Sequence, residues 1–265
     1  GVNAGGVRRL GRAFQEIPIA DLSSQIWHKI TDLTDDDCGF KMATQIKVAE
    51  SHSDLRKLEK RIKAVKKLGY NHERLLSHRD LYSYLPNLAP HCFGGAIVEG
   101  DGYANPYRTT QAFKRKATKL GAKFFENTEV SSIDCIKKDW VITTTNNRYA
   151  SKYVVNCAGA WGQKIATFLG DSVPIYAHAP MLMITSRLPR FLNAVVGSQS
   201  RALSFKQFSN GSVLIGGGYL GRVKLDRNET ELDFKKLSEN VQTARSLFPI
   251  ISKATVVRTW AGIEG

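Results

Sequence analysis

Two short glycine clusters are the places where this sequence could let main-chain atoms approach a ligand closely. The first is Gly5-Gly6, followed by Val7 and two arginines, and the second is Gly159 with an alanine on each side. Glycine has no Cβ, so peptide N–H groups at such positions can face a phosphate or the edge of a ring. A β-branched and aromatic run at 153–156 precedes the second cluster, and a helical pattern follows it. That order fits both a pyrophosphate site and a close-packed strand–helix corner, and the two remain open.

A third cluster, at 216–221, matches the dinucleotide-binding pattern G-x-G-x-x-G after an apolar strand. The pattern requires its last glycine to lie in the first turns of a helix that packs on the sheet. Residues 222–228 have no apolar helical face. We therefore interpret these glycines as allowing a strand to pass close to a ligand or another backbone, with a phosphate cradle as the minor alternative.

Patterns typical of metal sites and of nucleophilic enzymes do not occur in the sequence. The four cysteines, at 38, 92, 135 and 157, form no C-x-x-C, and neither H-E-x-x-H nor G-x-S-x-G is present. The pattern predicts free thiols in a reducing, cytoplasmic compartment and no metal site. The run Asp35–Asp37 could bind a cation, but a solvated turn fits it better because no other ligand is near in sequence.

Apolar periodicity predicts helices and strands in a mixed order, with a change of pattern near residue 106. Helices are expected at 19–33, 51–68, 106–120, 163–169 and 230–247, and Ser51 with Asp54 forms a capping box. Asn210-Gly211 predicts a hairpin turn. Strands are expected at 40–48, 92–98, 122–125, 129–136, 140–145, 149–156, 181–185, 202–208, 212–216 and 255–260.

The composition is that of a globular protein with a strong positive charge. The chain has 265 residues, with 38 Lys+Arg against 24 Asp+Glu and a net charge of +14. It has no apolar run of about 18 residues, the length of a membrane-spanning helix. The densest basic run, 56–67, lies on a segment with helical apolar spacing, which favours a solvated helix face over a nucleic-acid surface. Nucleic-acid binding is a minority hypothesis.

Four motifs occur in an order that resembles one enzyme family. They lie at 3–8, 101–106, 155–161 and 260–265, and segments 121–130 and 211–217 extend the resemblance over nearly the whole chain. The sequence resembles the FAD-dependent amine and amino-acid oxidoreductases related to D-amino acid oxidase. Within that family it is most similar to the branch of sarcosine oxidase β-subunit, glycine oxidase and hydrogen cyanide synthase. The family's opening G-x-G-x-x-G and closing glycine-rich segment are expected before Gly1 and after Gly265, so the resemblance predicts a chain truncated at both ends.

The resemblance implies a mixed α/β (α+β) fold with two interleaved parts. A discontinuous, Rossmann-like FAD-binding domain is expected from 1–35, 107–170 and 255–265. An antiparallel-sheet substrate domain is expected from 36–106 and 171–254.

The resemblance also implies which residues contact the cofactor and the substrate. Arg8, Gln207 and Tyr219 are expected to act on the substrate, and Arg201, Arg222 and Arg258 are further candidates for a carboxylate because arginine can bind it bidentately. His178 is the one histidine placed near the expected substrate sheet. Plain strand core is an equally good interpretation of one cofactor position, Val130. The expected FAD-binding residues are Gly5, Gly6, Val7, Arg8, Val130, Cys157, Ala158, Gly159, Trp161, Trp260 and Gly262.

The implied activity is oxidation of the C–N bond of a small amine or amino acid. A hydride leaves the carbon beside the nitrogen for N5 of FAD, which produces an imine. The expected partners are that substrate and an electron acceptor, either oxygen or a quinone or electron-transfer protein, without nucleic acid. Two alternatives are a partner-dependent flavoprotein subunit of a hetero-oligomeric dehydrogenase and a basic nucleic-acid-binding module. A homo- or hetero-oligomer is expected, in the cytoplasm or at the periphery of the inner membrane.

Overall fold

The computed structural model describes residues 3–265, so the first two residues of the predicted range 1–35 lie outside it. The helices are α1 (Ile17–His28), α2 (Ile30–Thr34), α3 (His52–Lys67), α4 (His78–Tyr84), α5 (Pro106–Lys119), α6 (Gly162–Thr167) and α7 (Phe234–Leu247). The first eight strands are β1 (Gly6–Val7), β2 (Lys41–Met42), β3 (Gln45–Ala49), β4 (Arg74–Leu76), β5 (Gly94–Val98), β6 (Gly102–Tyr103), β7 (Val130–Ile136) and β8 (Asp139–Thr144). The others are β9 (Arg148–Ser151), β10 (Ala179–Thr185), β11 (Val195–Ser198), β12 (Ser204–Gln207), β13 (Val213–Gly216), β14 (Leu220–Lys224), β15 (Glu229–Glu231) and β16 (Val256–Ala261).

A ten-stranded sheet organises the fold. Its order is β15-β14-β10-β13-β12-β11-β3-β5-β4. The tenth strand, β16, pairs with β10 along the edge opposite β13. Adjacent strands are antiparallel except β11 and β3, which run parallel. Since β11 lies beside both β3 and β12, this parallel pair brings residues 45–47 close to residues 204–206.

One face of this sheet forms the main hydrophobic core. Alternation along β3 sends Ile46 and Val48 to that face, and the same alternation places Phe205 of β12 there. Helices α4 and α7 cover it with Leu81 and with several residues that include Leu247. The buried Phe248 ring, just after α7, stacks on Phe205 with 5.0 Å between ring centroids.

Two three-stranded sheets form separately from the large one. Strands β1, β6 and β2 form the first, and β7, β8 and β9 form the second. The first sheet fastens the start of the described chain, because Gly6 pairs with Tyr103 and Val7 with Gly102. Within residues 3–265 no helix is both long and apolar enough to cross a membrane.

The predicted elements are confirmed where their signals are local. Ser51 caps α3 by accepting a hydrogen bond from the Asp54 N–H at 3.1 Å. The Asn210-Gly211 turn joins β12 to β13 in an antiparallel hairpin.

The predicted strand at 122–125 is wrong, because these residues form an irregular segment and no strand pairs with them in the described chain. The predicted strand at 149–156 ends at Ser151. Strand propensity does not hold a segment without a neighbour to pair with. Conversely, the sequence did not predict β11, whose short run of two valines, a glycine and a serine is a strand only because β3 and β12 flank it.

The division into a cofactor domain and a substrate domain stays a prediction. The last predicted cofactor piece, 255–265, includes β16, which pairs with β10 over five positions of the large sheet.

We expect Phe248→Ala to lower the free energy of unfolding by about 3–5 kcal/mol, because it removes a fully buried ring and leaves a cavity. Urea denaturation of the purified protein measures this loss. The matched control is Phe234→Ala, which removes a ring that is 70% exposed at the start of α7 and should change the free energy by less than about 1 kcal/mol. Equal losses in the two variants would contradict the assigned core.

Candidate functional site

The second face of the large sheet carries two rows of residues that run across its strands, and five of the twelve residues are polar. Each row contains one residue from each strand, and neighbouring residues in a row are paired across the sheet. Between β11 and β12 the row follows from the antiparallel pair of Val196 with Phe205. The first row runs from β16 to β3 through Arg258, Ile184, Leu214, Lys206, Val195 and Gln45. The second runs through Trp260, Leu182, Gly216, Ser204, Gly197 and Lys47. We call this surface the polar sheet face.

Residues 3–8 cross the polar sheet face, and cavities open on both sides of them. A cavity of about 660 Å³ lies between Gly5, Gly6, Val7 and helix α1. On the sheet side, a cavity of about 440 Å³ is lined by residues that include Arg8 and Lys206. The adjoining space of about 540 Å³ reaches Lys47 and Gly197.

Two buried carboxylates hold the chain just after this crossing. Asp101 accepts hydrogen bonds from the backbone N–H of Arg9 at 2.9 Å and of Leu10 at 3.2 Å, and it also forms an ion pair with the Arg9 side chain. Glu73 accepts from the N–H of Gly11 at 2.9 Å and forms an ion pair with Arg61 at 2.7 Å. Both carboxylates are at most 2% exposed. We call them the carboxylate clamp, because together they fasten residues 9–11.

Lys206 is the most unusual side chain of the site, and no sequence motif pointed to it. Its Nζ donates to the Ala4 carbonyl at 2.5 Å and lies 4.2 Å from the centroid of the Tyr103 ring and 5.3 Å from that of Phe208. The residue is 4% exposed, and burial lowers the pKa of its ammonium to about 8. Within residues 3–265 it forms no ion pair. A period-2 pattern could have signalled it, since Phe205 points to the core and Lys206 must point the other way.

A second cationic group lies where the polar sheet face meets Arg8. Lys47 Nζ and Arg8 Nη1 lie 3.2 Å and 3.6 Å from the position that a Cβ on Gly11 would occupy. Burial, assisted by Arg8 and Arg61 and opposed by Glu73, lowers the pKa of Lys47. Arg8 donates one hydrogen bond to the Leu10 carbonyl at 2.7 Å, which leaves most of its guanidinium hydrogens for a ligand.

One carboxylate shares the cavities with these cations. Glu264 lines both sheet-side cavities. Its backbone exchanges two hydrogen bonds with His178, and its Oε2 lies 4.0 Å from Nε2 of that ring. The sequence placed His178 near the substrate sheet, but no pattern in it singled out Glu264.

The structure separates the four arginines proposed for a carboxylate. Arg8 borders three cavities. Arg201 forms an ion pair with Glu50. Arg222, on β14, lies opposite Glu231 of β15 and lines none of the described cavities. Arg258 lines a fourth cavity, of about 580 Å³, with its guanidinium 5.9 Å from the Trp260 ring centroid. The arrangement therefore favours Arg8.

The two other residues predicted to act on substrate have structural contacts. The Gln207 amide accepts from two backbone N–H groups, those of Phe191 and Leu192, and donates to three carbonyls of residues 188, 189 and 211. Those bonds use its whole hydrogen-bonding capacity, so the Gln207 amide has no donor or acceptor left for a substrate. Tyr219 packs against the main core and lines none of the described cavities.

The predicted cofactor residues fall into two groups. Gly5, Gly6, Val7 and Arg8 lie together along the 660 Å³ cavity, and Trp260 lines the 580 Å³ one. The remaining residues line none of the described cavities, and their cofactor role stays a prediction. Val130 begins β7, Cys157 is exposed, Ala158 precedes a 3-10 turn at Gly159–Trp161, and buried Gly262 donates to the Pro180 carbonyl at 3.3 Å.

The glycines at 216–221 are not a dinucleotide fingerprint, since a strand, β14, follows them where a helix is required. A Cβ on Gly216 would overlap the Leu182 side chain, and one on Gly217 would overlap the backbone of 203–204. The alternative interpretation, close approach of two backbones, is confirmed.

The residues along the 660 Å³ cavity fit a large planar cofactor. Gly5 has φ +67, and a Cβ there would overlap the Ala104 carbonyl. A Cβ on Gly6 would instead project where no atom lies within 4 Å. The segment thus presents bare backbone at a cavity of the size that holds cofactors.

Comparisons with known proteins agree with the motifs. The model of the family described as FAD dependent oxidoreductase (DAO) matches residues 1–265. The B subunit of opine oxidase from Rhizobium meliloti is 24% identical over 260 residues, which is 92% of this chain and 65% of that protein. The beta subunit of sarcosine oxidase from an Arthrobacter species is 25% identical over 255 residues, which is 92% of this chain and 61% of that protein.

The fold matches that of a solved structure. The crystal structure of glycine oxidase from Geobacillus kaustophilus superimposes with a TM-score of 0.86 at 21% identity, over 98% of this chain and 71% of that one. The predicted mixed α/β fold class and the predicted resemblance are confirmed. The chain spans less than two thirds of the length of the two curated relatives.

We expect Asp101→Asn to loosen residues 9–11 and to reduce FAD retention, because an amide cannot replace the charge-assisted bonds to Arg9. The free energy of unfolding should fall by about 1.5–3 kcal/mol. Flavin absorbance per protein after gel filtration and urea denaturation measure the two effects. Asp226→Asn, on an exposed turn, is the matched control. Unchanged flavin content in Asp101→Asn would show that the carboxylate clamp does not support the cofactor segment.

We expect Lys206→Met to stabilise the protein at pH 7, because it removes a buried charge and keeps a similar stem. The folded state releases this proton near pH 8, whereas the unfolded lysine holds it to about pH 10.5. Stability of the unsubstituted protein should therefore rise between these pH values, by roughly 3 kcal/mol, and that of Lys206→Met should lack this rise. Denaturation at several pH values measures it, with exposed Lys66→Met as control. Parallel pH profiles for all three proteins would contradict the burial of the charge.

Proposed function

Because this chain belongs to the FAD-dependent oxidoreductase family, we propose that it oxidises the C–N bond of a small amine or amino acid. The observation that carries the proposal is the position of residues 3–8. They separate a cavity edged by bare glycine backbone from cavities lined by cationic side chains. A planar cofactor fits the first environment, and an anionic substrate fits the second.

The cationic groups select a substrate that carries a carboxylate. Arg8 and Lys47 lie close together at the edge of the polar sheet face. A guanidinium can bind a carboxylate through two parallel hydrogen bonds, and a neighbouring ammonium adds charge. Glu264, on the same cavities, complements the positive charge of a substrate ammonium. Together these groups would orient an amino acid across the sheet.

FAD held along residues 5–8 would supply a hydride acceptor for the carbon beside the substrate nitrogen, which would convert the amine to an imine. The residues of this chain hold that carbon in place, which supplies much of the rate of such a reaction. A proton released from the substrate nitrogen would meet Glu264 Oε2 or His178 Nε2, which lie 4.0 Å apart. Neither group needs to act as a nucleophile.

A partner-dependent role is the second candidate, and the names of the relatives favour it. Two of them are subunits, one of opine oxidase and the other of sarcosine oxidase. In that case the electrons pass to a partner or a quinone, whereas an independent oxidase passes them to oxygen.

The four free thiols support a reducing compartment such as the cytoplasm.

We expect the full-length protein, purified without added cofactor, to absorb between 350 and 500 nm as a flavoprotein. Anaerobic addition of sarcosine, glycine, iminodiacetate or a D- or L-amino acid should bleach these bands, because the substrate reduces the flavin. Stopped-flow absorbance measures the rate of bleaching.

Reoxidation by air then separates an oxidase from a dehydrogenase, and turnover only after a partner is added supports the partner-dependent role. A flavin that no amine reduces would contradict the proposed reaction. A colourless protein that FAD does not reconstitute would contradict cofactor binding as well.

A further inference from the structure

Two lysines stand on the polar sheet face at opposite ends of one diagonal. Lys206 lies in the first row and Lys47 in the second, with β11 between their strands. Two strand spacings separate them across the sheet, about 10 Å, and one two-residue step separates them along it, about 7 Å. The two Cα atoms are therefore roughly 12 Å apart.

The residues between the two lysines in the second row have small side chains or none, which leaves space above the sheet. Gly197 of β11 and Ser204 of β12 occupy the second row between them. Both line the 540 Å³ cavity, together with Lys47, and Ser204 also lines the 440 Å³ cavity beside Lys206. Among the described cavities none is lined by both lysines, but Arg8, Ser204 and Glu264 line both of these cavities, so a ligand that spans the two would lie between the ammonium groups.

Neither lysine forms an ion pair within the described chain, although the buried Glu73 carboxylate, itself paired with Arg61, opposes the lowering of the Lys47 pKa. Lys206 uses one of its three N–H groups on the Ala4 carbonyl, which leaves two donors. Lys47 has Arg8 beside it, so this end of the diagonal carries two positive charges. Burying unpaired charge is costly, and a bound anion at each end would offset the cost.

The charges within this space do not balance for a substrate with one carboxylate. Three cationic groups, Arg8, Lys47 and Lys206, face it against the single carboxylate Glu264. Arg201, also on the 540 Å³ cavity, is already paired with Glu50. A simple amino acid brings one anion, which would leave Lys206 at the far end unpaired.

We propose that the polar sheet face binds a secondary amine with two carboxylates, one at Lys206 and the other at Lys47 and Arg8. This proposal rests on the proposed function. Side chains on a strand stand roughly perpendicular to the sheet. Taking the two ammonium groups to be as far apart as their Cα atoms, roughly 12 Å, and about 2.8 Å for each ammonium–carboxylate bond, the two carboxylates would lie roughly 6 Å apart. The C–C–N–C–C linker of an iminodicarboxylate spans about 5 Å, which matches this gap.

The reaction of such a substrate balances with the family's cofactor and water. The C–H bond beside the nitrogen breaks, its hydride reduces FAD, and the N–H proton passes by way of Glu264 or His178 to solvent as the C=N bond forms. Water then adds to the imine carbon, and the C–N bond breaks to release an amino acid and an oxo acid. Both products keep one carboxylate each.

Iminodiacetate and sarcosine test the proposal, because they differ by one carboxylate in place of a hydrogen on the N-methyl group. We expect anaerobic reduction of the full-length holoprotein to show a kcat/KM roughly 10–100-fold higher for iminodiacetate, the range expected for one charged contact. Thiodiacetate and methylthioacetate form the corresponding pair without an N–H. Calorimetry should show a similar preference for the dicarboxylate in binding alone.

Lys206→Met should reduce the iminodiacetate-to-sarcosine ratio to within about threefold of one, and Lys206→Arg should keep most of it. Exposed Lys66→Met removes the same charge far from the cavities and should leave the ratio unchanged. Loss of both substrates in equal proportion in Lys206→Met, with the thiodiacetate preference intact, would overturn the proposal. It would assign Lys206 to the cofactor instead.

The outcome also distinguishes this proposal from the proposed function. Rapid reduction by sarcosine with no preference for iminodiacetate would overturn the two-carboxylate substrate and keep amine oxidation. A bound flavin that neither compound nor any other amine reduces would overturn the proposed function first. Preference for iminodiacetate that Lys206→Met abolishes supports both.

Discussion

The carboxylate clamp is the interaction on which the rest of the site depends. Asp101 and Glu73 are buried, yet each accepts hydrogen bonds from backbone N–H groups of residues 9–11 and from an arginine. Buried carboxylates are stable only with such partners. The clamp fastens the chain just beyond the glycine segment, and the pairing of β1 with β6 fastens that segment itself. Together these contacts keep the 660 Å³ cavity on one side of residues 3–8 and the sheet-side cavities on the other.

The large sheet serves two purposes through the alternation of its side chains. Its core face carries Ile46 and Phe205, which pack against α7 and supply stability. The residues that alternate with them along each strand face the opposite side, where the Lys206 ammonium donates a hydrogen bond to the carbonyl of Ala4. A buried, unpaired ammonium reduces stability, and proteins tolerate such groups mainly at sites of function. Stability and binding are thus assigned to opposite faces of the same strands.

The proposed two-ended site depends on the parallel pairing of β11 with β3. It brings Lys47 within two strands of Lys206, although the two residues belong to separate parts of the chain. Gly197 and Ser204 leave open space between them, and Arg8 reaches the same space from the glycine segment. Charge spacing across a sheet, rather than a local motif, would then select between one and two carboxylates on the substrate.

The sequence by itself determined the family, the mixed α/β class, the glycine segment at 5–8, the Ser51 cap and the Asn210-Gly211 hairpin. These signals are local, because a cap, a tight turn or a backbone approach depends on residues a few positions apart. Only the tertiary structure decided that β14 follows the glycines at 216–221 and that Gln207 is engaged with backbone groups. It alone also placed Lys206 and Lys47 on one diagonal. Strand register between distant segments follows from how whole faces pack, and no short pattern encodes it.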